Sequence, residues 1–103
     1  MHCQAPFQGC LGANSFYEQS VSAAHGGVTM FMDFANMGKG DSPYTQALAR
    51  AEEMEESAID YSVHGKFVES TPEAIADIEK MAEYGIPTFK MFMTYKKEGV
   101  MSD

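Results

Sequence analysis

Three short apolar segments recur along this chain at a nearly constant interval: residues 28–34 (VTMFMDF), 59–63 (IDYSV) and 88–93 (TFKMFM). Each is too short for a helix and is bounded by glycine or proline, so each reads as a strand. Their starts, Val28, Ile59 and Thr88, are 31 and 29 residues apart. One strand–helix unit of an α/β fold occupies that length: an eight-unit barrel of roughly 250 residues allots about 31 to each. A doubly wound open sheet has a similar rhythm, so both architectures fit. The first and third segments are apolar nearly throughout, as parallel strands covered on both faces are.

Helix start and stop signals fill the intervals. Ser15-Phe16-Tyr17-Glu18 is a capping-box sequence, and the run that follows it ends at Gly26. Ser42-Pro43 places a capping residue before a first-turn proline, after which Tyr44, Ala47, Leu48, Ala51 and Met54 recur on one face. Thr71-Pro72 repeats the signal, with Ile75, Ile78, Met81 and Ala82 as the apolar stripe and Gly85 as the stop. The order is helix, strand, helix, strand, helix, strand. Three units cannot close a barrel, because strand edges and inner helix faces would stay uncovered. The 103 residues are therefore expected to be part of a larger α/β fold.

The balance of 7 Lys and Arg against 15 Asp and Glu gives a net charge of -8, which repels phosphate backbones and anionic lipid. Nucleic acid and membrane surfaces are thus unfavoured partners. No apolar run approaches the roughly 18 residues of a membrane span, and the first residues lack a secretory pattern. Cys3 and Cys10 cannot form a disulfide framework, and their spacing is no zinc signature; reduced thiols and a cytoplasmic location are the plain reading. The nine methionines scatter through strand-like and helix-like runs, where flexible core filler explains them.

Lys90 is the most informative residue. It interrupts a neutral, mostly apolar strand, where an ammonium without a partner is costly. Its position late in a parallel strand points it toward the end where α/β folds put their sites. Two readings stand side by side: a neutral amine that reacts with carbon dioxide to give a bidentate, metal-bridging carbamate, or a lysine that snorkels to the rim. Tyr95, just past the strand, is either a donor to a developing oxyanion or a rim aromatic. His2 is a lone histidine in a loop and a weak metal signal by itself. His25 closes a helix, where an imidazolium favours the dipole. His64 follows the second strand, where packing is a commoner role than ligation. Asp33, near a strand end, is open to metal binding, ligand orientation or acceptance of loop amides. Gly38-Lys39-Gly40 does not match the phosphate-loop spacing and reads as a turn. No Ser-His-Asp constellation or nucleophile elbow is legible.

The third strand and its sequel, Thr88-Phe89-Lys90-Met91-Phe92-Met93-Thr94-Tyr95-Lys96, closely resemble the "SFKxFMAYK" segment of dihydropyrimidinases and D-hydantoinases in the amidohydrolase superfamily. The likeness extends through Ala23-Ala24-His25-Gly26-Gly27-Val28-Thr29, Asp33-Phe34-Ala35 and Ile59-Asp60-Tyr61-Ser62-Val63-His64. His2-Cys3-Gln4-Ala5-Pro6-Phe7-Gln8-Gly9 resembles the family's "HLDMPFGG". The lysine–tyrosine segment is the specific part; the Gly-Gly-Val-Thr turn is common across the superfamily.

The resemblance implies a partial TIM (β/α)8 barrel of the metal-dependent hydrolase type, about three to four βα units. Residues 1–103 would belong to the first half of the barrel, with the small β-sandwich domain and the second half absent. Lys90 falls on the carboxylated lysine that bridges two divalent metals, usually zinc. His2 falls on the second histidine of a His-x-His pair, also a metal ligand. Tyr95 falls on the tyrosine that stabilises the tetrahedral intermediate and binds substrate, and Phe92 falls where the pocket for the substrate's exocyclic group is lined. The implied chemistry is hydrolysis of the ring amide of dihydropyrimidines or hydantoins by a metal-bridging hydroxide. The first histidine of the pair, two further histidine ligands and the catalytic aspartate fall outside the chain. By itself the chain is therefore expected to be inactive, and the parent enzyme to be a homotetramer.

Two other functions compete with this one. A non-catalytic scaffold relative would lose the bridging lysine, which is retained here as Lys90. An autonomous small α/β domain would leave its strand edges in need of a partner. Allantoinases and dihydroorotases are cousins that fit the lysine–tyrosine spacing less well, and Gln4 leaves the substrate subgroup open.

Overall fold

A computed structural model describes residues 15–93 of the chain. Its elements follow in the order α1 (Phe16–His25), β1 (Met30–Phe34), α2 (Pro43–Glu53), a single 3₁₀ turn (Met54–Glu56), β2 (Asp60–Phe67), α3 (Pro72–Tyr84) and β3 (Phe89–Met91). The three strands form one parallel sheet in the order β1-β2-β3.

The helix starts are those the capping residues specify. Ser15, Ser42 and Thr71 each accept a hydrogen bond from the backbone N–H three residues on, at Glu18, Thr45 and Ala74. Pro43 and Pro72 occupy the first turns of α2 and α3, where a missing N–H costs nothing. At the end of α3, Gly85 is left-handed (φ 104°), which lets the Ile86 N–H turn back to the Met81 carbonyl at 2.8 Å. The Glu56 carboxylate accepts the Phe16 N–H at 2.8 Å, and Ser20 Oγ accepts the Ala58 N–H at 2.8 Å. These two bonds tie α1 to the turn after α2.

The second strand runs further than the sequence suggests. His64-Gly65 reads as a strand end, yet β2 continues to Phe67. Gly65 is a packing position, not a breaker: a Cβ there would stand 2.3 Å from Met81 Cε and 2.8 Å from Phe89 Cδ1. α3 and β3 can approach β2 only because nothing projects from this residue. Phe89, the register partner of Gly65, lays its ring edge-on to Phe67 with centroids 5.4 Å apart.

Strand alternation divides the side chains between two faces. Phe31, Val63 and Phe67 join Phe16, Ala47, Met54, Ala74 and Met81 in the buried core under the helices. Met54 and Met81 are fully buried and Met37 nearly so, consistent with core filler, whereas Met30, Met91 and Met93 are exposed. Met32, Phe34, Ser62, His64, Lys66 and Lys90 alternate onto the other face, which no helix among the described residues covers.

The apolar stripe of α3 is rotated from its expected position. Ala74, Asp77 and Met81 face inward, while Ile75 and Ile78 are 55 % and 38 % exposed. Asp77 explains the rotation. Its carboxylate accepts Ser42 Oγ (2.5 Å), the Tyr44 N–H (3.4 Å) and Lys80 Nζ (2.7 Å), so it pins α3 to the N-terminus of α2. Among the described residues no buried side-chain polar atom lacks a partner.

Two predictions follow from this packing. Gly65→Ala should destabilise the protein by about 1–3 kcal/mol, because the Phe89 ring has to shift; an unchanged melting temperature would show that the approach is not tight. For Asp77, burial raises the carboxyl pKa, but the hydrogen bonds from Lys80, Ser42 and the Tyr44 N–H outweigh it and hold the group below the ordinary 3.8. A depressed folded-state pKa gives stability that is present above pH 3.8 and lost as pH falls through the folded value. Asp77→Asn should therefore cost about 2 kcal/mol near neutrality. The gap between variant and wild type should close in strong acid, as read from paired melts across pH.

Candidate functional site

The uncovered face of the sheet concentrates the reactive side chains at its C-terminal edge. Lys90 and Lys66 are register partners on neighbouring parallel strands. Both are half-buried, and both point away from the helices. The Lys90 ammonium lies 4.1 Å from the Phe34 ring centroid and 4.7 Å from that of Phe92; the Lys66 ammonium lies 5.2 Å from the Phe92 centroid. Phe34 in turn stacks on His64, with centroids 5.1 Å apart, and His64 Nδ1 is 2.7 Å from Thr88 Oγ1. The chain of contacts Thr88–His64–Phe34–Lys90 fixes where the amine stands. The Lys90 amine is thus bracketed by two aromatic faces.

The structure brings together Lys90 and Phe92, two of the residues singled out from sequence. His2 and Tyr95 lie outside the described residues, as do Cys3 and Cys10. Asp33 does not join the site. It alternates onto the helix-covered face, where it is 1 % exposed and stands 4.0 Å from the guanidinium of Arg50, itself 3 % exposed. Arg50 also bonds Glu53 at 2.9 Å and lies over the Phe16 ring at 5.4 Å. Asp33 is thus part of a sheet-to-helix ion pair. His25 keeps the structural role expected of it: its Nδ1 is 2.8 Å from the Val21 carbonyl, inside the last turn of α1.

The Gly38-Lys39-Gly40 turn does not bind phosphate through its amides. Asp41 accepts the Gly38 N–H at 2.8 Å, and the Glu69 carboxylate accepts the Gly40 N–H. Carboxylates already hold the groups a phosphate would need. Lys66 is the residue that sequence reading missed. Its signal was available: two residues beyond His64 it shares that residue's face, but a strand read as ending at Val63 hides the alternation.

A metal-bridging role requires a lysine on the face opposite the helices, near the C-terminal ends of the strands, and Lys90 meets both conditions. Among the described residues, no group of three or more His, Cys, Asp or Glu side chains could hold a metal ion. Among the described residues, Lys90 is the one candidate ligand that the sequence resemblance names. No helix among the described residues is long and apolar enough to cross a membrane.

Comparison with known proteins gives a consistent set of relatives. The chain is 34% identical over 93 residues to the D-hydantoinase of Ralstonia pickettii, a match covering 88% of this chain and 20% of that protein. It is 30% identical over 105 residues to the dihydropyrimidinase of Rattus norvegicus, covering 99% of this chain and 20% of the relative. The crystal structure of dihydropyrimidinase from Brevibacillus agri superposes with a TM-score of 0.89 at 28% identity, covering 99% of this chain and 23% of that one. No family model matches. The chain spans about a fifth of the length of the curated relatives it matches.

The ion pair on the far face yields a prediction that separates scaffold from site. Arg50→Met leaves the Asp33 carboxylate buried without its cation and should cost about 3 kcal/mol. Adding Asp33→Asn should restore part of that loss. Denaturant midpoints of the single and double variants check both, and a neutral single variant would show that the pair does not anchor α2 to the sheet.

Proposed function

The chain belongs to the D-hydantoinase and dihydropyrimidinase family, and from that premise we propose that it forms part of a metal-dependent hydrolase that opens the ring amide of dihydropyrimidines or hydantoins. The observation that carries the proposal is the placement of Lys90. It is a lysine in a greasy strand, turned from the core, level with the C-terminal end of β2 and held against Phe34 and Phe92.

In this reading the parallel sheet is a segment of a (β/α)8 barrel, and its uncovered face is the barrel interior. The exposed Ile75 and Ile78 on α3 fit the same reading, since further βα units would cover them. Residues 1–103 then contribute the first half of the barrel. The remaining units, and the small β-sandwich domain usual in the family, come from outside the chain. The parent enzyme is a cytoplasmic homotetramer.

Lys90 would hold the metals as a carbamate: its ammonium first gives one proton to water, the neutral nitrogen then bonds the carbon of carbon dioxide, and a second proton leaves, so the cation becomes an anion with two oxygens. His2 is the second ligand that this chain supplies. Two divalent ions, proposed to be zinc, would supply when bound an activated water and electrostatic stabilisation of the ring oxygen. Tyr95 donates a hydrogen bond to that oxygen as negative charge develops on it. Phe92 lines the pocket for the substituent on the ring, and Phe34 with His64 sets the direction of the Lys90 side chain.

Mass spectrometry of the intact protein in bicarbonate should show one added carbon dioxide on Lys90. Lys90→Ala should remove that increment, together with metal uptake and ring opening. Tyr95→Phe should retain the metal and lower kcat by about a hundredfold. A Lys90→Ala variant that keeps both metal and activity would end this assignment.

A further inference from the structure

We infer that Asn36 is a further substrate-binding residue, whose carboxamide pairs with the ureide edge of the ring, where a ring N–H adjoins the carbonyl between the two nitrogens. This rests on the cyclic-amide reading above and deepens it. The ladder of β1 runs on past Phe34: the Ala35 N–H donates to the His64 carbonyl at 3.0 Å. Exposure alternates through the next residues. Ala35 and Met37 are buried at 1 % and 8 %, and Asn36 between them is exposed. Asn36 therefore projects from the open face, two residues past Phe34. Lys66 stands two residues past His64, the register partner of Phe34, and is itself paired with Lys90. Asn36, Lys66 and Lys90 thus form one row across the C-terminal ends of the three strands.

The two ends of that row divide the ring between them. Lys90 stands at one end, where the reading above puts the amide that is cut. Asn36 stands two strands away, about 10 Å at the usual strand spacing, which leaves room for a small ring between the side chains. Its carboxamide enters no hydrogen bond or ion pair among the described residues. It carries a carbonyl acceptor and an N–H donor side by side. An amide closed into a small ring is held cis, so its own N–H and C=O also point the same way. The two groups therefore match through a pair of hydrogen bonds. A trans amide in an open chain turns its N–H and C=O to opposite sides and makes only one of them. A ring with no N–H on this edge likewise leaves the Asn36 carbonyl without its donor, and the site discriminates against it.

The test compares hydantoin with succinimide, in which a methylene replaces that N–H, on the intact metal-loaded protein in wild type, Asn36→Leu and Asn36→Gln. Asn36→Leu should raise KM for hydantoin by about ten- to fiftyfold and for succinimide by only about two- to threefold, with smaller effects on kcat. Asn36→Gln keeps the carboxamide and should restore part of the loss. Calorimetry on the metal-free protein supplies a second readout, with binding of hydantoin present in wild type and lost in Asn36→Leu. An Asn36→Leu variant that shifts both rings by the same factor, or shifts neither, overturns the inference and leaves the hydrolase reading intact. Hydrolysis of neither ring by the wild type overturns the hydrolase reading, and calorimetry then decides on Asn36 by itself. Hydantoin binding lost in Asn36→Leu keeps the residue as a ureide contact; binding that is absent in wild type or unchanged in the variant overturns that role too.

Discussion

The close contact of Met81 and Phe89 over Gly65 governs the rest of the structure. Because Phe89 packs toward the helices, alternation turns Lys90 to the opposite face. Sliding β3 by one residue would exchange them, putting an ammonium under α3 and a phenyl ring in the open. The missing side chain at position 65 therefore fixes more than local packing. It sets the register that pairs Lys90 with Lys66 and presents both at one edge of the sheet.

The two faces of that sheet have contrasting ways of handling charge. On the covered side, Asp33 and Arg50 meet each other inside a dry layer, and Asp77 collects donors from α2 and from its own helix. Such groups hold elements together, and breaking them costs stability. On the other side, the two lysines lie against aromatic rings. A ring attracts a cation without neutralising it. The division between scaffold and site in this chain is thus a division between charges matched by charges and charges matched by π-faces.

Much of this was legible from the residues in order. Ser15, Ser42 and Thr71 mark the helix starts because capping is a local interaction, complete within four residues. Lys90 stood out because an isolated cation in an apolar strand demands an explanation wherever the strand lies. What stayed hidden depends on neighbours distant in sequence. Gly65 looks like a strand breaker until Met81 and Phe89 are placed over it. The burial of Arg50 shows only once Asp33 and Phe16 are placed beside it. The inward face of α3 was misplaced because Ile75 and Ile78 are the more apolar choices, yet Asp77 with its bonds to Ser42 and Tyr44 decides the rotation. Alternation likewise separates Asp33 from Phe34 but does not say which of them the helices cover.

The stacking of Lys90 on Phe34 has a spectroscopic corollary. Circulating π-electrons shield nuclei held above a phenyl plane, so the terminal methylene protons of this lysine should resonate upfield of their unstructured position. Any chemistry that swings the side chain off the ring would return them downfield. The aromatic neighbour thereby acts as an internal gauge of where the amine stands, readable in solution without a label on the lysine itself.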